Sequence, residues 1–69
     1  MTRKERIITA LTELNNNYGR GEIKKAVVKS GVLTRKIVCN QNGNGFKETR
    51  RFRIKGSTVY FLGHQRKIA

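Results

Sequence analysis

The chain has no proline and no tryptophan, a single cysteine and histidine, and only four acidic residues among 69, all of them glutamate. Each shortage closes off a class of function. Glu5, Glu13, Glu22 and Glu48 lie far apart and His64 stands alone in a polar stretch, so no nucleophile, base and orienting group come together, and enzymatic activity is not expected. Cys39 alone cannot form an internal disulfide or a cysteine-rich zinc site, which agrees with a reducing compartment. With His64 it offers two zinc ligands where about four are needed, so neither metal nor cofactor is expected. Cys39 reads as a small packed residue, His64 as an ordinary exposed histidine and Tyr18 as part of the core at a helix end. No apolar run approaches the roughly 20 residues that cross a bilayer, and Met1-Thr2-Arg3-Lys4 leads into an amphipathic segment instead of a signal peptide's apolar core. The expectation is a protein of the cytoplasm or nucleoid with no membrane partner. The missing proline and tryptophan decide little.

What the chain has in excess is positive charge. Sixteen lysines and arginines against four glutamates give a formal net charge of +12 and a sequence pI near 11.1. Such a molecule repels itself and calls for a polyanion or an acidic partner, nucleic acid first among them. Its length allows one domain, near the lower limit for a single core without disulfide or metal.

Thr2-Arg3-Lys4-Glu5 has the form of a capping box and predicts a helix start. Ile7, Leu11, Leu14 and Tyr18 then repeat with helical spacing, with Ile8 widening the stripe. Asn15-Asn16-Asn17-Tyr18-Gly19 predicts its end near Asn16. From Glu22 to Gln41 the pattern reads as helix, turn and helix. Ile23, Ala26, Val27 and Ser30 line one helical face, Gly31 breaks it, and Thr34 caps a third helix with Ile37 and Val38 inward. That third helix exposes Arg35, Lys36, Asn40 and Gln41, side-chain types that pair with phosphates and base edges. Lys24, Lys25 and Lys29 fall on the outer side of the second helix as phosphate clamps. A competing reading stands beside this one: Val32 to Asn40 is rich in strand-forming residues, and Asn42-Gly43-Asn44-Gly45 is a hairpin signal. The same glycines do not make a phosphate loop, since the lysine and the strand-to-helix context are missing.

The segment beyond reads as a hairpin. Phe46, Glu48, Arg50, Phe52 and Ile54 alternate with Lys47, Thr49, Arg51 and Arg53, and after a tight turn at Lys55-Gly56 comes a second strand, Ser57 to Leu62. Lys47, Arg51 and Arg53 share one face, Arg50 lies on the other and Lys55 is at the tip, a row of cations suited to a polyanion. Residues 64–69 read as a flexible basic tail outside a domain spanning 1–63.

From about Arg3 to Gly63 this layout resembles the winged helix-turn-helix family of DNA-binding domains. The resemblance implies a small α+β fold, a helical N-terminal half followed by a β-hairpin wing; the alternative is two helices plus a three-stranded antiparallel sheet. It implies a non-enzymatic protein on double-stranded DNA, either a regulator that binds paired half-sites as a homodimer or an architectural protein, of the kind a phage or mobile element encodes. The third helix would read the major groove and the wing would grip phosphates or the minor groove. If residues 32–40 are a strand, RNA binding by a basic sheet gains, with Phe46, Phe52 or Tyr60 exposed for stacking. An acidic protein partner is the remaining expectation.

Overall fold

The computed structural model describes residues 1–38 and 45–68. Helix α1 spans Arg3–Tyr18 and begins as the capping box requires. The Glu5 amide donates to the Thr2 hydroxyl at 3.2 Å, and the Glu5 carboxylate accepts from the Thr2 amide at 3.3 Å. Ile7, Ala10, Leu11, Leu14 and Asn15 form its buried face. The helix runs through the asparagines to Tyr18 and does not stop near Asn16.

All the remaining regular structure is strand among the described residues. Strands β1 (Glu22–Val27), β2 (Val32–Val38) and β3 (Gly45–Arg51) form one antiparallel sheet in that order. Strands β4 (Arg53–Lys55), β5 (Thr58–Phe61) and β6 (His64–Lys67) form a second. The described residues therefore form one helix and two three-stranded antiparallel sheets, and this overturns both the winged helix-turn-helix layout and its two-helix alternative.

The second helix fails for a specific reason. Ile23 pairs with Arg35 and Ala26 with Leu33, but the register shifts between Ile23 and Lys25. A bulge there adds a residue to β1, so two side chains three apart in sequence face the same way. That spacing is the helical signature that the sequence displays. Gly31 does turn the chain, at φ +65°, but it closes a hairpin loop between β1 and β2. Its amide donates to the Val27 carbonyl at 3.0 Å, and its carbonyl accepts from the Phe52 amide at 2.9 Å. A Cβ at Gly31 would stand 2.8 Å from the Phe52 carbonyl oxygen, so the site requires glycine by both conformation and space. The third helix is β2, in which Leu33, Arg35 and Ile37 alternate inward.

The segment read as one hairpin strand changes partners at Phe52. Residues 45–51 pair with β2, from Val38 opposite Gly45 to Val32 opposite Arg51. Residues 53–55 pair with β5, from Arg53 opposite Tyr60 to Lys55 opposite Thr58. Phe52, between the two runs, is buried. The expected tail is also a strand, since β6 pairs with β5 from Thr58 opposite Lys67 to Phe61 opposite His64. Leu62 and Gly63, at φ 55° and 76°, make the connecting two-residue turn, the backbone shape that suits the twist of paired strands.

Helix α1 packs against β1, β5 and β6. The core joins its Ile7, Ala10, Leu11 and Leu14 to Leu33, Phe52, Val59 and Phe61, with Ile23, Ala26, Val28, Ile54, Leu62 and Ile68 around them. Because Leu11 is fully buried at this junction, Leu11→Ala should lower unfolding free energy by about 2–5 kcal/mol, read by denaturant melts. A loss below about 1 kcal/mol would mean that α1 does not hold the two sheets together.

Candidate nucleic-acid interface

With α1 on the inner side, the outer faces of the two sheets are open. On the first, alternation directs Lys25, Lys36, Lys47 and Arg51 outward, with Thr34 and Thr49 between them. Lys36 lies directly opposite Lys47 on β3 and opposite Glu22 on β1. Like charges facing one another across a ladder repel, and Glu22, which could offset them, is hydrogen bonded to Lys24 at 3.2 Å. An anion laid across these strands would relieve that repulsion.

The second sheet is smaller and chemically more specific. Val59 and Phe61 are buried, so Thr58 and Tyr60 of the central strand point outward. Tyr60 is flanked by Arg53 on one side and Gln65 on the other, and Thr58 by Lys55 and Lys67. Two open depressions meet at Tyr60. One, of about 580 Å³, is lined by Arg53, Ile54, Lys55 and Tyr60. The other, of about 380 Å³, includes Arg51, Arg53 and Tyr60. Lys47, Arg51 and Arg53 thus keep the shared side expected from their alternation, although they belong to two sheets, and Lys55, expected at the tip, lies within β4 opposite Thr58.

All four glutamates are engaged away from this second face. Glu5 caps α1, Glu13 pairs with Arg66, Glu22 with Lys24, and Glu48 with Arg35 and Arg50. Arg66 faces inward beside Val59 and Ile54, which is why it meets the helix and not the open face.

Arg35, expected at the tip of a recognition helix, is only 3% exposed. Its Nη1 donates to Asn15 Oδ1 at 2.8 Å and to the Arg20 carbonyl at 3.2 Å, and its Nη2 reaches Glu48 Oε2 at 3.5 Å. Asn15, also buried, donates from Nδ2 to the Gly21 carbonyl at 3.0 Å. The buried Arg35 Nε has no hydrogen-bond partner among the described residues. Arg35 is therefore a structural anchor and cannot contact a surface ligand. A short contact from Arg50, with the positive charges of Arg35 and Arg50 behind it, holds the Glu48 carboxyl below its ordinary 4.5, against partial desolvation that pushes it up.

The other expected contacts are distributed as follows. Lys36, Lys47, Arg51, Arg53 and Lys55 are exposed on the outer faces. Arg50 is exposed on the opposite side and occupied by Glu48. Lys25 sits on the outer face of β1, Lys24 at its bulge and Lys29 in the following loop, so they are not a row of helix clamps. Asn40 and Gln41, with Cys39, lie outside the described residues. Tyr18 is 55% exposed and stacks on His64 with ring centroids 3.5 Å apart, so neither is a lone surface or core residue. Sequence reasoning missed Gln65 and Lys67, which a tail would leave unplaced; the signal was their alternation after Leu62-Gly63.

No protein-family model, curated protein or solved structure matches the chain. No helix among the described residues is long and apolar enough to cross a membrane. No group of three or more His, Cys, Asp or Glu among them could hold a metal ion.

The Arg35 cluster makes two outcomes measurable. Arg35→Ala strands Asn15 Oδ1 and the Arg20 carbonyl and leaves a cavity, so thermal or urea unfolding should show a loss of roughly 3 kcal/mol; a variant as stable as the parent would remove Arg35 from the framework. Glu48 binds its proton less readily folded than unfolded. Its contribution is therefore complete above the ordinary carboxyl range and is lost as pH falls through the lowered folded value. Glu48→Gln should flatten the acid limb of the stability profile below about pH 4.5, and an unchanged limb would assign acid sensitivity to another carboxyl group.

Proposed function

We propose that this chain is a non-enzymatic nucleic-acid-binding protein that holds phosphates across the outer faces of its sheets. Lys36, Lys47, Arg51, Arg53, Lys55 and Lys67 are the contacts. The observation that carries this reading is the segregation of charge: the outer face of β4, β5 and β6 has three cations and no carboxylate, while each glutamate is bound elsewhere. Net charge alone supports any acidic partner. A cation-bearing face cleared of acids, with an exposed aromatic residue at its centre, supports nucleic acid in particular.

The reading changes how the ligand is engaged. The segment expected to enter the major groove of duplex DNA as a recognition helix is the strand β2. The strand at Val32–Val38 favours the basic-sheet mode instead. Such a protein would work in the compartment that holds its polyanion, the cytoplasm or nucleoid.

Fluorescence anisotropy with a labelled oligonucleotide, titrated with salt, tests this. Binding should weaken steeply as salt rises, because each neutralised phosphate releases counterions. Arg51→Gln, Arg53→Gln and Lys55→Gln together should reduce the slope of log affinity against log salt by about 2 on single strands, at roughly 0.7 per contact. These positions are exposed, so the melting temperature should change little. Undiminished binding by the folded triple variant would move the contact surface elsewhere. No binding to any nucleic acid at low salt would leave an acidic protein as the partner.

A further inference from the structure

Tyr60 is out of place on a face that only tracks phosphates. It lies on the central strand of the second sheet, 37% exposed, between Arg53 and Gln65. Its neighbours in chain, Val59 and Phe61, are 0% and 2% exposed, so the strand fixes its outward direction and the ring cannot turn into the core without reversing the strand's alternation. Two depressions open beside it.

We propose that the ligand of this site is single-stranded nucleic acid and that Tyr60 is a platform on which one unpaired base stacks. This rests on the nucleic-acid reading above and adds the kind of strand and the residue that selects it. A base inside a duplex has both faces covered by its neighbours, and none is available to a ring standing on a sheet. An unpaired base offers a free face, and stacking on an aromatic side chain tolerates any base. The flanking residues complete such a site. Arg53 and Lys55 on one side and Lys67 on the other can hold the phosphates before and after the stacked nucleotide. Gln65, whose amide carries donors and an acceptor, faces the edge of the base. Arg51 extends the cationic track toward the first sheet.

Tyr18 and Tyr60 are the two tyrosines, and there is no tryptophan. In a Tyr18→Phe protein the intrinsic fluorescence therefore reports on Tyr60 alone. Titration with a 12-nucleotide oligouridine should quench it with the midpoint seen by anisotropy of the same labelled strand. Tyr60→Val, which keeps a strand-forming residue, should weaken oligouridine binding on the order of tenfold without altering the salt slope, since stacking releases no counterions. Tyr60→Phe should bind nearly as the parent does. A duplex of equal length should bind less tightly and be indifferent to both substitutions. If oligouridine binds the Tyr18→Phe protein without quenching, or binds Tyr60→Val as tightly as the parent while the Arg51, Arg53 and Lys55 triple variant loses affinity, the basic face stands and the stacking site is wrong. If no strand, single or double, binds the parent at low salt, both fall together. The quenching measurement decides even where Tyr60→Val fails to fold.

Discussion

A buried guanidinium joins three parts of this chain that hydrophobic contact alone would leave loosely related. Arg35, on the central strand of the first sheet, reaches the end of α1 through Asn15, the following loop through the Arg20 carbonyl, and the neighbouring strand through Glu48. Asn15 turns its other side-chain atom to the Gly21 carbonyl, so the loop between helix and sheet is held from both residues. An arginine suits this position because its planar fork supplies several donors in fixed directions, whereas a lysine would supply a point charge. Burying a charge is costly unless it is paired, and here the pairing carboxylate remains partly exposed and also serves Arg50. The arrangement defines where α1 ends relative to β2, and through that the depth at which Leu14 and Leu11 meet the sheets.

Scarcity of acid shapes the surface as much as abundance of base. Of four glutamates, one caps the helix, one ties the helix to β6 through Arg66, one anchors beside Arg35, and one pairs with Lys24 at a sheet edge. Three of these uses stabilise the helix or its attachment, and they leave the lysines and arginines of the outer faces unmatched. Lys36 opposite Lys47 is a local cost in self-repulsion. That cost is offset when phosphates lie across the strands, so the same charges that weaken the isolated fold strengthen the bound one.

The exchange of partners at Phe52 links framework to function. By turning inward between β3 and β4, Phe52 fills the core and anchors to Gly31 through its amide. The residues on either side keep their outward alternation, and the cations from Lys47 to Lys55 run from one sheet onto the other. The second sheet then contributes an aromatic ring on its outer face, Tyr60, whereas the exposed ring of the first sheet, Phe46, pairs with inward-facing Ile37, and this difference separates general phosphate contact from the proposed reading of an unpaired base.

Much of the helix and of the cationic row was legible in sequence, because both depend on short-range periodicity. The capping box, the apolar stripe of α1 and the alternation from Lys47 to Lys55 follow from spacing within one element. The first sheet was legible only in part: β3 was read as a strand and β2 as the competing reading of Val32 to Asn40, but β1 was read as a helix. A bulge in β1 gave Ile23 and Ala26 a helical spacing, and Arg35 interrupted the apolar alternation of β2 with a residue type that sequence reasoning assigns to the surface. The role of His64 to Lys67 was hidden as well, since a short polar segment gains strand structure only from the neighbour that pairs with it. By itself, then, the sequence determined one N-terminal amphipathic helix, a strongly basic character and a run of alternating cations, all set by composition or local period. Only tertiary structure decided that Arg35 is buried, that Phe52 divides one strand between two sheets and that Tyr60 faces outward, because each depends on hydrogen bonds and packing between residues distant in the chain.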